Sequence, residues 1–99
     1  MKVMSAAKNF FIITYDIIEN RIRNRVLKVM KGVGYHVQKS VFECHLDDEQ
    51  IKHLKTRLLK EIDEEKDSIR IYRIRHEEDA LIEILGLGEV PEDKQLTIV

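Results

Sequence analysis

Phe10-Phe11-Ile12-Ile13-Thr14-Tyr15-Asp16 is an apolar, β-prone run that stops at a carboxylate. Phe, Ile, Tyr and Thr favour a pleated backbone packed against its neighbours. Apolar residues stand at successive positions, not only at alternate ones. That pattern predicts a strand covered on both faces, hence central in its sheet. Beyond the core, its first polar atoms are the Tyr15 hydroxyl and the Asp16 carboxylate. An acid fixed at the end of a central strand is placed for metal or catalytic work. The plainer alternative is that Asp16 starts a turn or caps the next helix.

Working outward, residues 1–9 read as a loose tail. Residues 19–33 read as a helix, with Ile22, Val26, Val29, Met30 and Val33 on one face. Glu19 or Asn20 is its expected cap, and Gly32 and Gly34 stop it. Residues 35–46 hold two β segments, with a tight hairpin around Lys39 as the expectation and one bent strand as the alternative. Residues 47–66 form a second predicted helix. Asp47 or Asp48 caps it, and Gln50 closes a capping box with Asp47. Ile51, Leu54, Leu58 and Ile62 make its buried stripe, while Lys52, Lys55, Lys60 and Glu61 face water. Residues 68–75 form the last core strand, with Ile69 and Ile71 on one face and Arg70, Tyr72 and Ile74 on the other.

Strand, helix, strand, strand, helix, strand is the split βαβ order of an α+β, ferredoxin-like βαββαβ sandwich. Right-handed crossovers give an antiparallel four-stranded sheet of order 4-1-3-2, with the opening run in the middle. Residues 77–85 read as a short helix. Gly86, Gly88 and Pro91 then break the chain. The tail 96–99 is β-prone and needs a sheet edge, its own or a neighbour's. The expectation is one domain over 1–99, with a core of about 10–76 and an extension over 77–99.

The 99 residues suffice for one modest core, and 43% hydrophobic with 35% charged residues describes a soluble globular protein. No apolar run approaches the roughly 20 residues of a membrane helix. Asp16 interrupts the run 10–18, and no small-residue cleavage site follows, which argues against a signal peptide. The single cysteine, Cys44, leaves no internal disulfide and fits a reducing cytoplasm. Its strand-like surroundings predict a buried structural thiol. Four scattered histidines (His36, His45, His53, His76) lack zinc-ligand spacing. There is no phosphate-binding glycine loop and no Ser-His-Asp order. The K/R-G-F/Y motif of RNA-binding ferredoxin-like folds is absent.

The net charge of −1 hides an uneven distribution. Between Asn20 and Phe42 stand six Lys or Arg and no Asp or Glu: Arg21, Arg23, Arg25, Lys28, Lys31 and Lys39. From Glu43 to Asp67 the balance tips acidic. A basic flank of this kind neutralises phosphates. The plainer reading is a solvated helix face. Richness in arginine, the lack of interleaved acids and the position just after Asp16 favour a phosphodiester.

The residues Thr14-Tyr15-Asp16-Ile17, Arg23-Asn24-Arg25-Val26, Val37-Gln38-Lys39-Ser40-Val41-Phe42-Glu43-Cys44 and Asp67-Ser68-Ile69-Arg70-Ile71-Tyr72, with the tail from Ile84-Leu85-Gly86 to Ile98-Val99, complete a pattern. It resembles the small CRISPR-associated proteins of spacer acquisition, the second Cas family. Length, element order and motif order agree across nearly the whole chain. The resemblance implies a ferredoxin-like homodimer whose C-terminal strand crosses onto the partner's sheet. It implies a cytoplasmic role in CRISPR adaptation, with partners in an integrase subunit and in DNA, RNA or both, and no membrane. It also implies metal-dependent endonuclease character on RNA or double-stranded DNA, with Mg²⁺ or Mn²⁺ as cofactor.

Carried over residue by residue, Asp16 becomes the metal ligand, and Tyr15, Arg23, Arg25 and Phe42 join it at positions tied to activity. Arg21, Arg23, Arg25, Lys28, Lys31, His36 and Lys39 make up the nucleic-acid-binding set. His36 stands where arginine is common in the family, which makes a phosphate contact there weaker or pH-dependent. One chain supplies a single strand-end carboxylate, so a two-fold axis would have to bring two copies of Asp16 together. The alternatives are a non-catalytic DNA-binding adaptor between integrase subunits and, more remotely, a ferredoxin-like small-ligand regulator.

Overall fold

The computed structural model describes residues 8–74, 82–85 and 96–98. In chain order the elements are β1 (Asn9–Asp16), α1 (Asn20–Lys31), β2 (Tyr35–Gln38), β3 (Val41–Leu46), α2 (Asp48–Glu61), β4 (Ser68–Ile74), β5 (Ile82–Ile84) and β6 (Leu96–Ile98). The first four core strands form one antiparallel sheet in the order β2-β3-β1-β4, as the element pattern predicts. β1 is central, and Lys39 and Ser40 make the hairpin turn between β2 and β3.

Strand alternation divides the sheet into two unlike faces. On one face Phe11, Ile13 and Tyr15 meet Phe42, Cys44 and Leu46 of the neighbouring strand. Val26, Val29 and Met30 of α1 and Ile51, Leu54 and Leu58 of α2 close over them. Each such side chain contributes roughly 1.5–3 kcal/mol by leaving water. Both stripes match the sequence periodicity, and Cys44 is the buried thiol expected of it.

The other face differs from the expectation of a strand covered on both sides. Neither helix packs on it, and Ile12 and Thr14 are only half-buried. Phe10, on the same face, is buried and meets the His45 ring edge-on at 5.2 Å. The unbroken apolar run therefore overstates the burial of this face, which α1 and α2 leave uncovered.

Three local expectations are corrected. α1 has no side-chain cap: Glu19 holds the cap position in an extended conformation, its carbonyl accepting from Arg23 N–H at 2.9 Å while its side chain makes no capping hydrogen bond. α2 has the full Asp47–Gln50 capping box, but it ends at Glu61 instead of 66. Its end is set by Asp63, whose carboxylate accepts from Glu65 N–H at 3.0 Å while its own N–H donates to Asp67 at 2.8 Å. Local side-chain bonding of this sort outcompetes another helical turn. The third correction is the short helix over 77–85. Ile82–Ile84 is a strand, in keeping with its β-branched alternation. It pairs in parallel with β6, so the β-prone tail finds its partner within the chain. Residues 75–81 and 86–95 lie outside the described residues, as do residues 1–7 of the expected loose tail.

Gly34, read from the sequence as a helix stop, has a packing reason as well. A Cβ there would overlap Cys44 Sγ and stand 3.0 Å from the Glu43 carbonyl oxygen. Gly34→Ala is expected to cost about 1–3 kcal/mol, the usual range for overpacking. Adding Cys44→Ala removes the sulfur, and the double variant should melt above Gly34→Ala alone. An unchanged melting midpoint in Gly34→Ala would show that β2 can move away freely.

Candidate functional site

Alternation turns Asp16 onto the helix-free face, opposite to Tyr15. Asp16 is exposed, and its carboxylate makes no hydrogen bond or ion pair with any described residue. On one side its register partner in β4 is Ser68, a residue the sequence reading did not single out. On the other, Tyr15 N–H donates to Ser40 O at 3.1 Å, which carries the β1–β3 ladder on to the Lys39–Ser40 turn. Among the described residues no three His, Cys, Asp or Glu gather as a metal site. A single exposed carboxylate is the kind of oxygen donor suited to a hard cation that keeps most of its waters.

Tyr15 and Phe42 lie behind this site. Phe42 is fully enclosed, with the Tyr15 ring at 6.4 Å and the His36 ring stacked on it at 4.5 Å. Tyr15 OH donates to the Lys39 carbonyl at 3.3 Å, and His36 Nε2 stands 3.0 Å from the same oxygen. Both side chains thus brace the turn beside Asp16. Burial pushes the Tyr15 phenol above its ordinary range, and the Arg23 guanidinium opposes that only in part. The raised phenol suits the donor role that Tyr15 has toward the Lys39 carbonyl.

Arg23 is committed to the chain itself. Its guanidinium donates to the carbonyls of Ile17 at 2.8 Å and Ile18 at 3.1 Å, and to the Asn20 side-chain oxygen. These bonds fix the turn that leaves Asp16 and enters α1, where a side-chain cap is missing. Arg25 faces Glu61 at 3.6 Å and ties α1 to α2. Glu61, read as facing water, is therefore an ion-pair partner. Arg21 meets Glu19 at 3.7 Å, both well exposed, a pair of little energetic weight. Lys28, Lys31 and Lys39 are exposed and make no ion pair with described residues. Sequence spacing placed these cations on faces but could not show which carbonyl or carboxylate each would meet.

Arg23→Lys keeps the charge but cannot span three acceptors with one ammonium. It is expected to lose on the order of 1–3 kcal/mol of stability, the range for hydrogen bonds from charged groups. Urea unfolding measures this, and a midpoint equal to wild type would show that the loop holds without Arg23.

The fold and site define a class: a ferredoxin-like sandwich with an exposed carboxylate at the end of its central strand and a basic first helix. The family model described as CRISPR associated protein Cas2 matches residues 9–81. The chain belongs to the Cas2 family. It is 39% identical over 79 residues to CRISPR-associated endoribonuclease Cas2 2 of Thermodesulfovibrio yellowstonii, spanning 80% of this chain and 85% of that one. It is 32% identical over 92 residues to CRISPR-associated endonuclease Cas2 2 of Thermus thermophilus, spanning 93% and 98%. Among solved structures it resembles the hypothetical protein TT1823 from Thermus thermophilus, with a TM-score of 0.76 and 34% identity, covering 86% of this chain and 99% of that one.

Proposed function

We propose that this protein is a CRISPR-adaptation nuclease that cleaves a phosphodiester of RNA or double-stranded DNA with Mg²⁺ or Mn²⁺. The observation that carries it is Asp16, exposed at the end of the central strand and without a partner among the described residues. Relatives named endoribonuclease and endonuclease support the reaction class and leave the sugar open. Asp16 from two copies would hold the ion, which when bound supplies a polarised phosphoryl oxygen and a water of lowered pKa. The braced Lys39–Ser40 turn and the Arg23-held turn keep the carboxylate in place. Of the basic set between Asn20 and Phe42, Lys28, Lys31 and Lys39 are exposed and make no ion pair with described residues, which suits them to phosphates. The test is cleavage of labelled RNA and duplex DNA, with and without divalent ion, by the wild type and by Asp16→Asn. Equal cleavage by both proteins would overturn the reading.

A homodimer completes this site. Phe10, Ile12, Val41, Tyr72 and Ile74 share the face that no helix covers, and Tyr72 is 47% exposed. The outer edges of β2 and β4 end the sheet and offer unpaired backbone to an added strand. A two-stranded parallel ribbon is marginal alone, so the β5–β6 pair is the segment that would cross to a partner's edge. Deleting residues 87–99 is expected to weaken the dimer in sedimentation equilibrium. A truncated chain as tightly dimeric as the full one would remove the tail from the interface.

A second reading is favoured by one specific feature. With Arg23 and Arg25 both engaged within the chain, few cations remain to stabilise a developing phosphate charge. That suits a non-catalytic adaptor holding DNA beside an integrase subunit in the cytoplasm. Nucleic-acid binding without cleavage under any divalent ion is the result expected of it.

A further inference from the structure

We propose that the outer face of the helix layer binds the phosphate backbone of a nucleic-acid duplex, with Lys52, Arg57 and Lys60 of α2 joining Lys28 and Lys31 of α1. The inference rests on the nucleic-acid reading above and extends it to α2, a helix the sequence placed in an acidic stretch.

Subtracting the ion pairs reverses that impression. α1 contains no acid at all. Of the acids in α2, Glu61 is taken by Arg25 at 3.6 Å, and Asp48 by Arg73 at 2.8 Å. Glu49 remains, in the first turn of the helix. Lys28, Lys31, Lys52, Arg57 and Lys60 are all exposed, and none is in an ion pair with a described residue. The acids of Glu43–Asp67 lie mostly in the capping turn and in the turn after the helix, so they do not neutralise its outer surface.

Helix polarity does not explain the set. Cations complement the negative end of a helix only within its last turn. In α2 that turn contains Lys60, whereas Lys52 and Arg57 lie upstream. Lys52 and Lys60 stand two turns apart on the side away from buried Ile51, Leu54 and Leu58. Their separation along the axis is about 12 Å, at 1.5 Å per residue. A strand of B-form duplex carries one charge per 3.4 Å or so of helix axis, so such a row spans about three or four base-pair steps. α1 and α2 pack on the same sheet face, so their exposed cations form two rows on one surface.

The choice of a duplex follows from what the helices lack. Single-strand binders stack bases on aromatic rings. Neither α1 nor α2 contains Phe, Tyr or Trp. The surface offers charge at fixed spacing, and the imidazole of exposed His53 is its one ring. It also lies across the sheet from Asp16, so its contacts hold a duplex without placing a bond at the carboxylate.

The experiment is a salt titration of binding to a short DNA duplex and to one of its single strands, in EDTA, so that cleavage does not enter. The Lys52→Gln, Arg57→Gln, Lys60→Gln triple variant is expected to flatten the duplex salt slope by roughly 2–3, at about 0.9 per lost phosphate contact. Changing Lys8 and Lys66, which lie off the helix layer, to Gln should leave the slope as in wild type. An unchanged slope in the α2 triple variant, with wild-type binding intact, overturns the α2 surface alone. Tighter binding of the single strand than of the duplex overturns the duplex assignment. Absence of any duplex binding by the wild type overturns both this inference and the nucleic-acid reading beneath it.

Discussion

Replacing Asp16 by asparagine is expected to lower divalent-ion-dependent cleavage by about a hundredfold or more, since losing even an outer-shell partner of a metal ligand costs 10–100-fold. Asparagine keeps the size of the side chain and removes its charge. Asp16 is exposed and bonds to no described residue, so no contact among the described residues depends on its carboxylate. Unfolding should therefore stay within about 0.5 kcal/mol of wild type, the range of ordinary surface changes. Mn²⁺ affinity, followed by its paramagnetic signal, should fall in parallel with activity. Full cleavage by a cleanly purified Asp16→Asn protein would mean that the hydrolysis belongs to other residues or to a contaminant. Loss of cleavage with unchanged Mn²⁺ affinity would mean that Asp16 acts on the nucleic acid and not on a metal.

Phe42→Ala should have the largest effect on stability. The ring is fully buried on the helix side of the sheet, between Tyr15 and His36. Phenylalanine-to-alanine changes in cores cost about 3–5 kcal/mol, through lost transfer energy and the cavity left behind. That is a large share of the roughly 5–15 kcal/mol that holds a domain folded. The effect should extend to the site. Tyr15 and His36, which lean on the ring, both reach the Lys39 carbonyl. Losing it should raise amide exchange in the Lys39–Ser40 turn well before global unfolding. Phe42→Leu, nearer in volume, should cost less than half as much as alanine. A loss under about 1 kcal/mol in Phe42→Ala would show that the core collapses around the gap.

Phe42 also shows how a buried position bears on the site at a distance. It touches no solvent within the chain, so any effect on substrate passes through the turn it supports. Arg23 is the parallel case on the other side of Asp16. Its three acceptors belong to the turn between β1 and α1, where Glu19 provides no cap. Both residues position the carboxylate's surroundings. Variants at either should be read first for stability and only then for chemistry.

The sequence by itself determined the order of elements, the central place of β1, the buried stripes of both helices and the capping box of α2. Each of these rests on short-range signals: apolar periodicity, β-branched runs, and an Asp three residues before a Gln. It also marked Asp16, because a carboxylate ending an apolar run stands out without any contact being known. The tertiary structure alone decided what each arginine holds. Arg23, Arg25 and Arg21 look alike in the sequence, yet one binds backbone carbonyls, one a carboxylate of the other helix and one a near neighbour. Long flexible side chains reach several partners from one position, and only the packed arrangement selects among them. The end of α2 was likewise set by the Asp63 turn, not by propensity. The charge of its outer face emerged only after the acids had found their partners. Ser68 came beside Asp16 through strand register, which depends on how residues distant in sequence pair across the sheet.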